Sequence, residues 1–336
     1  MHVNDLPPEL LSSIFQLVVA DHDSLSKSDL TRRAKQCRLL GDVCKEWNEA
    51  TTSMLYARVC LKSPTQARSF NSALVHKPEL GSRPRVLRLS GDGVLALTRD
   101  VRGARMSHLE QLYLSATKTI SFDPIFSFKN LSKLVMWGVT LESDPRANSD
   151  LSLPSLRELS FCGVKNLACI SKLLTRSNLP SIRHVAVAYS PIPQDNFLSS
   201  LPVETIVVAT SEARRSLLPA AADTTLYTNR FYSISEGYTD LGRLPMKHLQ
   251  LSDFEGPLIF PDFLQLTSHL NSDARLETIY LPESCRLCKD IEQVQEWCGQ
   301  RKINLVFEEE VEFMHESLVP QSFKEIIASR TEKDRL

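Results

Sequence analysis

No stretch of this 336-residue chain is an unbroken apolar run of the roughly 18 residues that a membrane-crossing helix needs. Nothing in it is therefore expected to span a bilayer. Charge of a single sign is lacking too: 39 lysines and arginines stand against 40 aspartates and glutamates. That balance leaves no overall field to gather nucleic acid, anionic lipid or other polyanions. The opening MHVNDLPPEL has neither the basic start nor the continuous apolar segment of a secretory leader. The eight cysteines, Cys37, Cys44, Cys60, Cys162, Cys169, Cys285, Cys288 and Cys298, are scattered along the chain, which fits reduced and mostly buried thiols. A cytoplasmic or nuclear location is the expectation.

The usual signatures of chemistry are missing as well. Cys285-Arg286-Leu287-Cys288 has the spacing of half a zinc site, but a four-coordinate ion needs a second pair, and only Cys298 and His315 remain to offer ligands. Buried thiols behaving as small hydrophobes are the expected reading. The histidines form no His-x-x-x-His pair. Gly91-Asp92-Gly93 lacks the third glycine and the lysine of a phosphate cradle and reads as a turn. No Gly-x-Ser-x-Gly elbow occurs, and Arg99, Arg102 and Arg105 read as a solvated face. No catalytic residue, metal ligand or cofactor is assigned, and the chain is expected not to be an enzyme.

What is present is organisation. Apolar residues at 42% and charged residues at 24% are ordinary for a globular protein able to bury a substantial core. Asn4 and Asp5 are good helix caps, and Leu6-Pro7-Pro8-Glu9 puts prolines where a first helical turn has no use for an N–H. Leu10, Leu11, Ile14, Phe15, Leu17 and Val18 then recur at helical spacing. Asp21 to Ser28 is polar and reads as a loop. A second helical stretch carries Cys37, Leu40, Cys44, Trp47 and Thr51, widened by Leu39 and Val43, with Gly41 as a candidate break. A region of about 60 residues can bury only part of two such wide stripes. Some of that apolar surface is expected to meet a partner.

Beyond this region an apolar-x-x-apolar-x-apolar pattern keeps returning, the start of a leucine-rich repeat. Clear copies are Leu109-Leu112-Leu114, Leu131-Leu134-Met136, Leu156-Leu159-Phe161, Ile182-Val185-Val187, Val203-Ile206-Val208, Met246-Leu249-Leu251 and Leu276-Ile279-Leu281. Weaker ones surround Val59, Leu87, Leu226 and Leu305. Taking the middle residue as a ruler, the positions 87, 112, 134, 159, 185, 206, 226, 249, 279 and 305 step by 20 to 30 residues. Each copy is expected to be a short strand with alternate residues pointing inward, and the intervening chain to return as a helix or irregular turn. Ser63 to Val75, Asn166 to Thr175 and Phe260 to Leu270 have helical periodicity suited to such returns. Glu308-Glu309-Glu310 and the short amphipathic stretch from Gln321 to Ala328 read as a cover for the open end of the array. Strand residues flanking the inward positions, Tyr113, Trp137, His184, His248 and Tyr280, are candidates for contact with a bound protein.

Three blocks at the front, Leu6-Pro7-Pro8-Glu9-Leu10-Leu11, Ile14-Phe15 and Val43-Cys44-Lys45-Glu46-Trp47, are together similar to the F-box pattern. The chain as a whole resembles the F-box proteins with irregular leucine-rich repeats, the substrate receptors of cullin-RING ubiquitin ligases. It departs from the pattern in a longer polar connection, Asp21 to Arg33. At the position three residues after the last strand position, where regular repeats carry asparagine or cysteine, it has Thr117, Val139, Val164, Ser190 and Phe254, so no asparagine ladder and an irregular arc are expected. The resemblance implies a fold of α/β class: a helical hook over residues 1–56, an irregular leucine-rich repeat solenoid over 57–310, and a cap or tail over 311–336. It also implies docking onto a Skp-type adaptor, and through it a cullin, by Leu6, Pro7, Leu10, Ile14, Phe15, Val43, Cys44 and Trp47. The repeats would then hold a protein substrate of unknown identity, with neither nucleic acid nor membrane as a partner. Phe15 and Val43 have a second reading as residues that merely hold the helices together. The rival for the whole chain is a non-degradative interaction scaffold whose N-terminal helices only cap the solenoid.

Overall fold

A computed structural model describes residues 8–20, 27–91, 106–115, 119–142, 151–188, 190, 201–203, 205–209, 223–228, 246–251 and 276–308. Leu6, Pro7, Thr117, Phe254, Arg99 to Arg105, Phe260 to Leu270 and residues 311–336 lie outside them. The chain forms two compact units, Met1–Leu156 and Arg157–Leu336.

The first unit opens with three helices, α1 (Pro8–Ala20), α2 (Lys27–Gly41) and α3 (Lys45–Ala57). Leu11, Phe15 and Val19, each four residues on from the last, point from α1 into a small core with Cys37 and Met54, and Leu40, Trp47, Ala50 and Leu55 pack around it. The second stretch read from sequence is thus two helices, parted between Gly41 and Lys45. Gly41 permits the close approach at this joint, because a Cβ there would stand 2.9 Å from Thr51 Oγ1. Asn48 Nδ2 donates to the Gly41 carbonyl at 3.3 Å across the same joint. The polar connection is shorter than its composition suggested: α2 already begins at Lys27, and Arg33, one turn before Cys37, is buried.

The chain passes directly from α3 into β1 (Arg58–Leu61) and then α4 (Pro64–His76). The latter starts as the sequence predicts, with Ser63 Oγ accepting the Gln66 N–H at 3.2 Å and proline in the first turn. Strands β2 (Val86–Ser90), β3 (Gln111–Ser115) and β5 (Lys133–Trp137) extend a parallel sheet in the order β1-β2-β3-β5. Val59, Leu87, Leu112 and Leu134 stand in one register row, and Leu61, Leu89, Leu114 and Met136 in the next. Both rows are buried, so each strand alternates inward apolar with half-exposed residues. A second parallel pair, β4 (Thr119–Ser121) with β6 (Thr140–Glu142), carries Ile120 and Leu141 into the core.

The second unit continues the scheme with β7 (Glu158–Cys162), β8 (His184–Ala188), β9 (Thr205–Ala209), β10 (Asp223–Thr228), β11 (Met246–Leu251), β12 (Thr278–Pro282) and β13 (Asn304–Glu308), all parallel and paired in chain order. The return expected over Asn166 to Thr175 contains one short helix, α5 (Ala168–Ser171). A longer one, α6 (Ile291–Arg301), precedes β13 and turns on left-handed Lys302. The ruler slips once. Leu159, Val185 and Ile206 share a row as expected, but Ile206 faces Thr224, and Leu226 faces Val208 on one side and Leu249 on the other. The slide of two residues therefore lies between β9 and β10, and the separate irregularity between Thr224 and Thr225 in the β10–β11 pairing skips one residue, Lys247.

Three recurring devices hold repeats together. Leu109, Leu131, Leu156 and Ile182 each donate an amide to the carbonyl three residues back, on Met106, Phe128, Leu153 and Leu179, closing an apolar turn before the strand. The carbonyl of Arg85 accepts the amides of both Glu110 and Gln111, that of Glu110 accepts Ser132 and Lys133, and that of Arg157 accepts Arg183 and His184. After the strand, Gly91, Gly138 and Gly163 turn the corner at φ near +60° (60°, 62° and 58°), a region that costs residues with a Cβ. Repeated parallel strands with buried leucine rows and returns of this length define a leucine-rich repeat array.

Candidate protein-binding surfaces

Helix α1 is apolar on two sides. With Leu11, Phe15 and Val19 facing inward, Leu10, Ile14 and Leu17 face outward at 53%, 42% and 76% exposure, and Leu39 and Val43 at the end of α2 are each 60% exposed. These five make up most of the exposed large apolar side chains among the described residues, and all belong to the helical head. A monomer gains nothing by presenting them to water.

The residues that the F-box resemblance singled out are divided by the fold. Leu10, Ile14 and Val43 lie on the surface, and Cys44 is half-buried at the N-cap of α3 without a side-chain cap bond. Phe15 is 2% exposed and meets Trp47 edge-on, ring centroids 4.8 Å apart at 64°. The docking expectation for Phe15 needs correction, since it is a core residue; Trp47 is half-buried and packs against that core. The Trp47 Nε1–H is buried with no hydrogen-bond partner among the described residues. Burial pushes the Cys37 thiol pKa up, an effect that the charge of Arg33 partly offsets. The head also contacts the array: α2 and α3 both pack against β1.

On the repeats of the first unit the half-exposed positions line up across strands. Cys60, Arg88, Tyr113 and Val135 form one register row, and Ser90, Ser115 and Trp137 another. Tyr113 and Trp137 are half-buried on this face, the Tyr113 hydroxyl donating to Gln111 Oε1 at 3.1 Å. Arg85 and Glu110 bridge successive repeats at 2.9 Å. In the second unit His184 is half-buried and in register with Glu158. His248 takes its place in β11 opposite Thr225 and Thr278, its side chain being outside the described atoms. Tyr280 is a further correction: β12 is buried at every position and Tyr280 is 9% exposed, so it offers no ring to a partner.

Two features escaped the sequence. Ser190 Oγ accepts the buried Val164 N–H at 2.9 Å, so serine supplies one rung where the ladder was expected to be missing. The signal was Ser190 itself, since its hydroxyl can do part of what an asparagine amide does. The glycine that follows β2, β5 and β7 is the other, visible as Ser90-Gly91, Trp137-Gly138 and Cys162-Gly163.

The remaining chemistry is quiet. Desolvation pushes the thiols of Cys162 and Cys298 up to about 11. Among the described residues no three His, Cys, Asp or Glu side chains gather into a metal-holding group, and no helix is long and apolar enough to cross a membrane.

A leucine-rich repeat array carrying a three-helix head is the class of protein that these elements define. No family model matches the chain, and no curated protein does. Among solved structures it is similar to an internalin (inlF) from Listeria monocytogenes at 15% identity and a TM-score of 0.32, covering 71% of this chain and 64% of that one. An internalin C2 (inlC2) from the same organism matches at 13% identity and a TM-score of 0.24, over 53% of this chain and 74% of that one. The chain thus spans just under two thirds of the first of these, and the array is defined here by its own strand register and buried leucine rows.

Proposed function

We propose that the protein is a non-enzymatic substrate receptor: its helical head docks onto the Skp-type adaptor of a cullin-RING ubiquitin ligase, and its repeats hold the protein to be modified. The observation that carries this reading is the second apolar side of the head, Leu10, Ile14 and Leu17 on α1 with Leu39 and Val43 on α2 and its exit. Three of these five, Leu10, Ile14 and Val43, belong to the F-box pattern. Burying one such side chain contributes about 1.5–3 kcal/mol, so a few together suffice for a micromolar contact. The role of the repeats follows from the rows containing Arg88, Tyr113 and Trp137, which combine an arginine with aromatic rings, residue types favoured as anchors at interfaces. The protein's contribution to ubiquitin transfer would be proximity, holding a target near the conjugating enzyme.

The packing of α2 and α3 on β1 favours a second reading, in which the head is only a lid on the array. Co-purification of the full chain with a recombinant Skp-type adaptor separates the two. The native chain is expected to retain the adaptor and a Leu10→Ala, Ile14→Ala, Val43→Ala variant to lose it. Absence of binding by the native chain, or equal binding by both, would leave the lid reading alone.

A further inference from the structure

One pair of the eight cysteines, Cys285 and Cys288, stands three residues apart, and the fold gathers both into a single turn. A 3-10 helical turn over Glu283–Leu287 follows β12, and Cys288 is the residue at which the chain leaves it. The Cys288 amide donates to the Cys285 carbonyl at 3.1 Å. A turn closed in this way holds its first and last Cα atoms within about 7 Å, and a disulfide needs roughly 4.4–6.8 Å between them. Direction agrees with distance. Side chains at i and i+3 of a 3-10 turn eclipse one another, and Cys288 keeps that placement, because its φ of −71° is still helical and only its ψ of 140° is extended. Rotation about ψ moves the atoms that follow the Cα–C bond and leaves the Cβ where a continuing helix would put it. The turn is also fastened: Arg286 is ion-paired with Glu283 and lies 4.3 Å over the Phe307 ring of β13.

The two thiols differ in access. Cys285 is 2% exposed, whereas Cys288 is half-exposed and so departs from the expectation of a buried, inert sulfur. Leu287, beside it, is 93% exposed, which places this end of the turn in solvent. A third thiol, Cys298, lies buried on α6, which packs against the same turn.

We propose that Cys285 and Cys288 form a reversible thiol–disulfide pair, a modification site for peroxide at which Cys288 reacts first and Cys285 resolves it. The Cys288 thiolate attacks hydrogen peroxide, forming an S–O bond as the O–O bond breaks and hydroxide leaves. The Cys285 thiolate then attacks the sulfur of the resulting sulfenic acid, forming the S–S bond and expelling a second hydroxide. In sum the two thiols lose two electrons and two protons, and one peroxide becomes two waters. A dithiol reductant reverses the step by attacking the disulfide. The loop so closed is short and restrains the unfolded chain less than a long one would, which suits a pair that reopens better than a permanent staple. Neither cysteine belongs to the helical head, so this inference stands or falls apart from the ligase reading.

The test takes the full chain, reduced and then exposed to hydrogen peroxide, blocks it with iodoacetamide, and maps it by mass spectrometry without reduction. The expected product has Cys285 joined to Cys288, lighter by two hydrogens and closed to alkylation at both sulfurs, and dithiothreitol returns it to two alkylatable thiols. Cys288→Ser, at the accessible position, is expected to slow oxidation of Cys285 at least about tenfold, since exposure governs which thiol reacts first. Cys285→Ser is expected to leave a sulfenic acid on Cys288 that dimedone captures at least about tenfold more than in the native chain, and Cys298→Ser to leave the pairing unchanged. Both cysteines still open to alkylation after peroxide, a bond from either one to Cys298 or to a second chain, or oxidation of Cys285 at the native rate in Cys288→Ser would each overturn the proposal. The mapping is done on the native chain and decides the question even where substitution of the buried Cys285 prevents folding.

Discussion

The helical head and the repeat array solve the burial problem differently. In the array every strand of the first unit sends its leucines to one side and its mixed residues to the other, so Leu87, Leu112 and Leu134 vanish into a shared core while Arg88, Tyr113 and Val135 meet solvent in register. The head has fewer neighbours to pack against. Phe15 and Leu11 use up the interior offered by Cys37 and Met54, and Leu10, Ile14 and Leu17 are left outside on the same helix. Two leucines adjacent in sequence, Leu10 and Leu11, therefore have opposite roles. An apolar residue in the array reports the fold; in the head it reports the fold or a partner according to which side it is on.

The comparison breaks most readily in the cores. Leu134→Ala, at a position with no solvent exposure, is expected to cost about 2–5 kcal/mol, and Phe15→Ala about 3–5 kcal/mol, both read from denaturant titration. If Phe15→Ala proved neutral, the head would have no core and the contrast would vanish. Next in size is Ser190→Ala, which leaves the buried Val164 amide without its acceptor and is expected to cost about 1–3 kcal/mol; Ser190→Asn, measured beside it, would show whether the fuller rung recovers the loss. Removing the cap with Ser63→Ala should cost about 1 kcal/mol, measurable as a lowered Tm. Smallest for stability is Leu10→Ala with Leu17→Ala, expected within about 0.5 kcal/mol for surface positions, while the proposed docking predicts weaker adaptor retention in the same variant. A large destabilisation there would mean that the outer side of α1 is covered after all.

The buried thiols add a dependence on pH. Cys162 and Cys298 are raised from an ordinary value of 9.0 to about 11, so their neutral form is favoured by folding. Their contribution is complete below pH 9 and is lost as pH rises through about 11, because the unfolded chain releases those protons first. Replacing both by alanine is expected to flatten the stability profile over that window.

How much of this could be read from the sequence follows from period and packing. The repeats were legible because leucine at alternate positions reports the inward face of a strand wherever it occurs. The slip at β10 was not, since a slide of two residues returns every side chain to the same face and leaves the alternation unchanged. In the head the stripe announced a helix, but only the positions of Cys37 and Met54 decide which half of it is interior. Phe15 has a place in the same motif as the outward residues, yet the fold turns it into the core against the ring of Trp47 from another helix.

The left-handed corners at Gly91, Gly138 and Gly163 divide the molecule's freedom to change. They fix where the backbone must leave the sheet without touching what the sheet displays, so positions such as Arg88, Val135 and Trp137 can be varied while the turns are kept. A library randomised on that face, with the three glycines held constant, would conserve the scaffold while sampling new specificities.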